Sequence, residues 1–434
     1  MRFLRVMPSS GRRLAGIEGL RALAASSVLV FHAWQVSSPT GTPVGSGGLG
    51  QALFESLALG VTLFFVLSGF LLYRPFAAAA LEDGRPPGVR AYFRNRALRI
   101  LPAYWVILVI TGLVLQSTLV RDGSSLEAGA LSDPGAFFSA AFLVHDYRPA
   151  TVLVGIGPAW SLAVEVVFYL VLPLLAALAL ALAARARTVR GRVRATLVPA
   201  LLMLLLGLSG KLVAATLVPG DPSSGWGPDW HAVLVRSFWT QADLFSFGMV
   251  VAVLHLQFKK GALELPARCR TVALAVAVPL GLLAAARLSV NHAQLNYLPE
   301  NTVIAGVFAV LLALVVLPAR AGGQSRLTRL LETRAPVTIG LISYSVFLWH
   351  EPLIRWLQAH GLTVGGTGGL AVNIVVLASV TGAISLLTYR FVEVPALRHK
   401  APVRTRSEAN GPDDAAPGEP ASGERAGEPR SIVA

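Results

Sequence analysis

The chain has 434 residues, of which 54% are apolar and only 14% are charged, whereas about 25% of the residues of an ordinary soluble domain are charged. This composition excludes a soluble protein, because so much apolar surface cannot be hidden from water. The net charge of +14 comes from short basic clusters between apolar runs, so we expect membrane-flanking loops and no nucleic-acid partner. The single cysteine, Cys269, excludes an internal disulfide and a cysteine-rich metal site, and we expect no metal.

Apolar runs of about 20 residues, the length that crosses ~30 Å of hydrocarbon, recur along the chain. They predict an all-α, polytopic membrane bundle of about ten transmembrane helices within one domain, residues 14–398. The first run contains charged and imidazole side chains, so it is predicted to be a retained helix rather than a cleaved signal peptide. The predicted helices lie near residues 16–36, 57–75, 100–119, 160–183, 196–218, 232–256, 271–288, 302–319, 336–358 and 368–392.

Lysine and arginine residues collect in alternate loops, which predicts the orientation of the helices because cytoplasmic loops retain an excess of these residues. Both termini fall on the basic side and are predicted to be cytoplasmic. Residues 1–13 form a basic N-terminus, and residues 399–434 are rich in Pro, Gly, Ala, Glu and Arg, a composition typical of a disordered tail. Between the third and fourth helices, a short apolar stretch at 136–144 is predicted to lie at the membrane interface or to re-enter the membrane.

Ionisable side chains inside the predicted helices are the best functional clues, because a charge at the bilayer centre costs ~2.5–3.5 kcal/mol. In the first helix, Arg21 and His32 are eleven residues apart, which places them about 16 Å apart along nearly the same face. They either belong to a site or are a snorkelling arginine and a packing histidine. Just before the third helix, Arg96 and Arg99 share a face and either bind a phosphorylated ligand or anchor the chain to anionic lipid.

Further polar side chains lie in the second, fourth, fifth and sixth helices. Ser68 belongs to a run, residues 60–70, whose small residues let either another helix or a ligand approach the backbone. Glu165 in the fourth helix either orients a histidine or pairs with an arginine. Lys211 in the fifth helix and Asp243 in the sixth are interpreted by default as a mutual pair.

The ninth helix carries His350, which either makes a structural hydrogen bond or takes part in a site. Glu351 and Arg355 follow it and are four residues apart, so they are predicted to pair on one helix face. After the last helix, the segment at 389–395 is interpreted as structural.

Six sequence blocks in a fixed order are far more specific than these single residues. They are GLRALA (19–24) leading to His32, LFFVLSGF (63–70), RALRI (96–100) before PAYW (102–105), WSLAVE (160–165), SYSVFLWH (343–350) and FVEVP (391–395). In the sequence and the order of these blocks, the chain over about residues 14–398 resembles the acyltransferase 3 family. Members of that family are membrane-bound O-acyltransferases that modify bacterial surface polysaccharides, peptidoglycan, lipids and some macrolides.

The resemblance implies a bacterial cytoplasmic-membrane enzyme, surrounded by membrane lipids, that transfers an acyl group from acyl-CoA to a hydroxyl of a sugar, a cell-envelope glycan or a macrolide. The acyl group is expected to be acetyl, and no permanently bound cofactor is expected. His32 would act as a general base or take the acyl group itself, and an arginine would stabilise the developing oxyanion. The predicted catalytic residues are His32, Arg21 and Glu165, the predicted acyl-CoA-binding residues are Arg96, Arg99, Ser68 and Trp160, and the predicted acceptor-binding residues are His350, Tyr344 and Asp243.

The chain also departs from the family pattern, and other functions fit some of its features. Many members have an acidic residue in place of Thr62, and Glu and Gln in place of Val166 and Val167, which leaves the roles of these positions open. Buried His, Glu and Asp groups would also suit a proton-coupled transporter or flippase of a glycan or lipid intermediate, although no internal repeat supports it. A structural, lipid-binding assembly factor is a third hypothesis. Neither the oligomeric state nor the side on which the acceptor binds follows from the sequence.

Overall fold

The computed structural model describes residues 14–37, 49–82, 84–216, 225–261, 267–290, 299–317 and 325–401. The predicted N-terminal segment at 1–13 and most of the predicted tail, residues 402–434, lie outside the described residues. Within the described ranges the chain forms fifteen α-helices and one β-hairpin.

The α-helices are α1 (Ile17–Val36), α2 (Leu49–Ser56), α3 (Gly60–Glu82), α4 (Val89–Val109), α5 (Pro134–Ala141), α6 (Trp160–Arg185), α7 (Val189–Thr216), α8 (Trp230–Val235), α9 (Phe238–Lys259), α10 (Ala267–Val290), α11 (Pro299–Val316), α12 (Arg326–Leu331), α13 (Arg334–Ala359), α14 (Gly366–Thr388) and α15 (Val394–Leu397). Single π-helical turns, Ile110–Val114 and Tyr389–Glu393, extend α4 and α14. The strands are β1 (Thr118–Asp122) and β2 (Ser125–Gly129).

Eight stretches of the described chain are long and apolar enough to cross a membrane, which confirms a multi-pass membrane protein built almost entirely of helices. Two further predicted segments form helices α1 and α10, which are not among the eight. In α1, the polar side chains of Glu18, Arg21 and His32 lower the mean hydropathy. The count of ten spans and the cytoplasmic termini remain predictions. The eight stretches are Gly50–Glu82, Val89–Val114, Gly157–Arg185, Val189–Thr216, Trp230–Lys259, Pro299–Val316, Arg334–Ala359 and Gly368–Leu397.

The centre of the bundle is formed by two helix pairs. α1 packs along α13, and α3 packs along α9, which also packs on α7. Their buried side chains join one apolar core that includes Leu20, Phe70, Phe168 and Phe245. Because the outward faces of these helices are also apolar, close packing and polar contacts, rather than an amphipathic pattern, decide which faces meet.

The segment between α4 and α6 departs from the all-helical prediction. Strands β1 and β2 pair in an antiparallel hairpin whose turn contains Gly123 in the left-handed region, with φ 57°. Leu119 also exchanges backbone hydrogen bonds with Gly155, which ties the hairpin to the chain just before α6. The apolar stretch predicted at 136–144 forms α5 and the turn that follows it, and its placement relative to the membrane remains a prediction.

Glycines set the distance between α3 and α9. A Cβ atom at Gly69 would lie 2.1 Å from the carbonyl oxygen of Phe245, and one at Gly248 would lie 1.9 Å from the carbonyl oxygen of Val66. Only glycine allows two backbones to come this close. The interpretation of the small residues at 60–70 as helix-packing residues is confirmed at Gly69.

Replacing Gly248 with Ala should therefore destabilise the bundle. The added methyl group would push α3 away from α9, and overpacking of this kind costs about 1–3 kcal/mol. The matched control is Gly382→Ala in α14, because no atom lies within 4 Å of a Cβ atom there. Thermal unfolding of the purified protein in detergent should show a lower midpoint for Gly248→Ala and no decrease for Gly382→Ala. Equal midpoints would contradict the close α3–α9 approach.

Candidate active site

Two pockets lie toward opposite ends of α1. The first, which we call the arginine pocket, lies near the beginning of α1. Aromatic side chains, Phe64, Phe65 and Phe347, form part of its wall. Six of the residues predicted to form the site also line it, namely Arg21, Ser68, Arg96, Arg99, Glu165 and Tyr344.

The three arginines of this pocket differ in their partners. Nη1 of Arg21 lies 4.0 Å from a carboxylate oxygen of Glu18, and Nη1 of Arg99 lies 3.3 Å from one of Glu393. Nε of Arg96 is buried and has no hydrogen-bond partner among the described residues. A guanidinium group in that position is available to an anionic ligand, since its planar fork of donors suits phosphate or carboxylate.

Glu393 is a site residue that the sequence interpretation missed. Its side chain is 2% exposed and accepts hydrogen bonds from Arg99 at 3.3 Å and from Ser345 at 2.6 Å. The π-helical turn at the end of α14 carries it to this position. Such turns are frequent at functional sites, and a carboxylate in the FVEVP block was the available sequence signal.

Glu165 lines the arginine pocket, where Arg21 lies within range of its charge, and its catalytic role remains a prediction. The hydroxyl group of Ser68 donates a hydrogen bond to its carboxylate across the α3–α6 contact. Glu165 thus belongs to the arginine pocket. Because the arginine pocket lies near the beginning of α1 and His32 lies near its end, Glu165 is distant from His32 along the bundle.

The second pocket, which we call the histidine pocket, contains His32. It has an empty volume of about 870 Å³ and lies near the end of α1 and of α13. Its other polar lining residues are Gln35, Glu351, Arg355, Gln358 and Thr363.

Hydrogen bonds assign the protonation of two adjacent imidazole rings. Nδ1 of His32 lies 2.9 Å from the carbonyl oxygen of Val28 and 3.2 Å from Nε2 of His350, and Nδ1 of His350 lies 3.2 Å from the carbonyl oxygen of Val346. Because a carbonyl oxygen only accepts, each Nδ1 carries the proton. Nε2 of His32 is then an unprotonated nitrogen, and no described residue forms a hydrogen bond with it.

Phe347 links the two pockets. Its ring lines the arginine pocket, with its centre 5.5 Å from that of Phe64 and 5.8 Å from that of His350. His350 in turn contacts His32. Phe347 and His350 thus form a row of ring contacts between the arginine pocket and His32.

Glu351 and Arg355 pair as predicted, with Arg355 Nε donating to the carboxylate of Glu351. Glu351 is 2% exposed, and a Cβ atom at Gly157 would lie 3.0 Å from its Oε1 atom. The close backbone of the chain before α6 thus helps to hold the carboxylate. Glu351 in turn orients the guanidinium group of Arg355 at the histidine pocket.

Three predicted site residues line neither pocket, namely His350, which contacts His32, and Trp160 and Asp243. Trp160 is buried against Phe65, with ring centres 6.2 Å apart. Asp243 pairs with Lys211, as the default interpretation predicted, and Lys211 Nζ also donates to the hydroxyl of Thr302 at 3.0 Å.

The fold and the site together define a multi-pass membrane protein whose polar centre is divided between a cationic pocket and a histidine pocket. Residues 14–390 match the sequence profile of the family described as acyltransferase domain. The chain therefore belongs to this acyltransferase family, and the resemblance drawn from the six sequence blocks is confirmed.

Several curated proteins are similar to this chain. It is 32% identical to the acyltransferase MdmB of Streptomyces mycarofaciens over 172 residues, 39% of this chain and 40% of that protein. It is 23% identical to the O-acetyltransferase OatA of Staphylococcus aureus over 413 residues, 89% of this chain and 57% of that protein. For the peptidoglycan O-acetyltransferase OatA of Listeria monocytogenes, the identity is 24% over 402 residues, 89% of this chain and 56% of that protein. The chain thus spans between 40% and 57% of the length of these relatives. The comparison with solved structures gave no match.

The Lys211–Asp243 pair should be structural. Removing one partner leaves a buried charge without compensation, at a cost of about 3–5 kcal/mol, whereas removing both costs less. Lys211→Met or Asp243→Asn alone should therefore lower the unfolding midpoint in detergent more than the double variant does. If the double variant were stable but inactive in acyl transfer, Asp243 would take part in substrate binding, as the sequence predicted.

Proposed function

We propose that the protein transfers an acyl group, in the simplest case acetyl, from acyl-CoA to a hydroxyl group of a sugar, a cell-envelope glycan or a macrolide, in the bacterial cytoplasmic membrane. The observation that carries this proposal is the place of His32 in the lining of a polar pocket, with its Nδ1 atom 2.9 Å from the carbonyl oxygen of Val28, which leaves Nε2 of the neutral ring as the basic nitrogen. The same helix carries Arg21 in the arginine pocket. Membership of an acyltransferase family supports the reaction type.

The arginine pocket would bind the phosphates of the donor. Nε of Arg96 has no hydrogen-bond partner among the described residues. Phosphate oxygens can replace the carboxylate partners of Arg21 and Arg99, or can accept hydrogen bonds from the same guanidinium groups beside those carboxylates. The thin pantetheine arm would then extend past Phe64 and Phe347 toward His32. Since these phenyl rings are packed together, donor entry requires at least one of them to turn aside.

His32 would act as the general base. Its Nε2 atom takes the proton of the acceptor hydroxyl, and the acceptor oxygen attacks the thioester carbonyl carbon. As the tetrahedral intermediate collapses, the carbon–sulfur bond breaks and the imidazolium returns the proton to the CoA thiolate. The Nδ1–H bond to Val28 keeps the ring in the tautomer that this chemistry needs.

The histidine pocket would bind the acceptor. Amide, carboxylate, guanidinium and hydroxyl groups on Gln35, Glu351, Arg355, Gln358 and Thr363 surround His32. A few convergent polar groups of this kind fit a ligand with several hydroxyl groups. The acceptor would therefore enter from the end of the bundle opposite to the donor.

Replacing His32 with Ala should abolish turnover while leaving donor binding intact. Loss of a general base lowers the rate by about 10²- to 10⁴-fold. The measurement is release of free CoA from acetyl-CoA by purified protein with a panel of hydroxyl acceptors. His360→Ala is the matched control, because His360 is exposed and stacks on Trp356. A wild-type protein that releases no CoA, but moves a solute along a pH gradient in vesicles, would instead indicate a transporter.

Replacing Arg96 with Ala should raise the KM for acetyl-CoA with a smaller effect on kcat. A charge-assisted hydrogen bond to phosphate contributes about 1.5–3 kcal/mol, so we expect an increase of about 10- to 100-fold. Arg94→Ala is the control, since Arg94 is exposed on the same helix. An unchanged KM for Arg96→Ala would remove the arginine pocket from the donor site.

A further inference from the structure

The chain that follows α15 is held against α4 by one side chain. Nδ2 of Asn95 donates to the carbonyl oxygen of Ala401 at 3.1 Å, and the backbone N–H of Ala401 donates to Oδ1 of Asn95 at 2.8 Å. Asn95 is 8% exposed and directly precedes Arg96. The two bonds therefore hold the chain at residues 400–401 beside the turn of α4 that carries Arg96 and Arg99, which line the arginine pocket. This segment lies beyond residues 14–390, which match the family profile.

These two hydrogen bonds, which we call the clamp, hold Lys400 near the arginines of the pocket. Lys400 is partly buried, whereas its neighbours Arg398 and His399 are exposed. Burial, followed by repulsion from Arg99, Arg96 and Arg21, lowers the pKa of Lys400 to about 8, although Glu393 attracts its charge.

The charges around Lys400 are not balanced within the protein. Arg21 and Arg99 have carboxylate partners, but neither Arg96 nor Lys400 forms an ion pair with any residue that the structure describes. Four cations, Arg21, Arg96, Arg99 and Lys400, thus face three carboxylates, Glu18, Glu165 and Glu393, which leaves one positive charge in excess. A phosphate group of a bound ligand would neutralise this excess.

We propose that Lys400 is a fourth cation of the arginine pocket, held in place by Asn95, which binds a phosphate group of the acyl donor. The inference rests on the proposed function, because it takes acyl-CoA as the donor. It adds a binding residue from a segment outside the family match, and it makes donor affinity depend on pH. The headgroup of an anionic lipid offers the same phosphate chemistry, and the experiment separates the two sources.

The direction of the pH effect follows from linkage. The free protein holds Lys400 with a lowered pKa of about 8, and a bound phosphate raises it. Donor binding therefore takes up a proton above pH 8, and affinity is full below that pH and falls as the pH rises. With that pKa and a contribution of about tenfold from the charged lysine, affinity should fall about fourfold between about pH 7.5 and 9. The groups that face Lys400 are arginines and Glu393, which do not change charge in this interval.

The experiment measures binding of S-ethyl-CoA to the full-length protein in detergent by calorimetry at several pH values. This thioether has neither a thiol that titrates nor a thioester that reacts. Lys400→Gln should lose about tenfold in affinity at pH 7.5, as expected for one charge-assisted hydrogen bond, and should lose the pH dependence as well. Asn95→Ala should reproduce the loss, because it releases the clamp and keeps the charge. Arg398→Gln is the matched control and should bind as the wild type does.

Three results would overturn the proposal. The first is wild-type affinity and pH dependence of thioether binding in Lys400→Gln, and the second is an equal loss in Arg398→Gln. The third is a Lys400→Gln variant whose unfolding midpoint responds differently to added phosphatidylglycerol while its thioether affinity is unchanged, which would assign the cation to a lipid headgroup. A wild-type protein that binds no thioether would instead overturn the donor assigned in the proposed function, and the inference with it.

Discussion

Charged groups inside a hydrocarbon layer must be compensated, and this constraint organises the polar part of the bundle. In three places, an ion pair within the protein provides this compensation. Lys211 and Asp243 neutralise each other between α7 and α9, Glu351 holds Arg355 on one face of α13, and Glu393 holds Arg99 across the α4–α14 contact. Where compensation from the protein is incomplete, at the arginine pocket, a ligand is expected to complete it.

The separation of the two pockets along α1 follows from the geometry of a helix. Eleven residues separate Arg21 from His32, a rise of about 16 Å, so one rigid element carries a side chain of each pocket. Its packing on α13 places Tyr344 in the first pocket and His350 against His32 of the second. A ligand that spans both pockets would lie along the α1–α13 contact.

The helical segments and several pairings could be predicted from local sequence, because hydrophobic length and four-residue spacing are local properties. Glu351 with Arg355 is such a case. The contact between His32 and His350 joins residues 318 apart in the chain, and that between Arg99 and Glu393 joins residues 294 apart. Spacing within one helix carries no information about either contact. The β1–β2 hairpin was missed because its strands are only five residues long, and β1, Thr-Leu-Val-Arg-Asp, does not alternate between apolar and polar residues as a half-buried strand does. The two pockets, and the place of Glu165 in the first, needed the packed structure.

The paired phenyl rings of Phe64 and Phe347 have a consequence for the energetics of the cell. A membrane protein with a polar cavity at each end of the same helix risks conducting protons between two aqueous compartments through a chain of waters and side chains. Phenyl rings neither donate nor accept protons, so their contact interrupts such a chain. In the proposed reaction, a slender organic chain would displace these two rings. Because that chain would fill the space it opens, continuous water would stay excluded from the path between the two cavities.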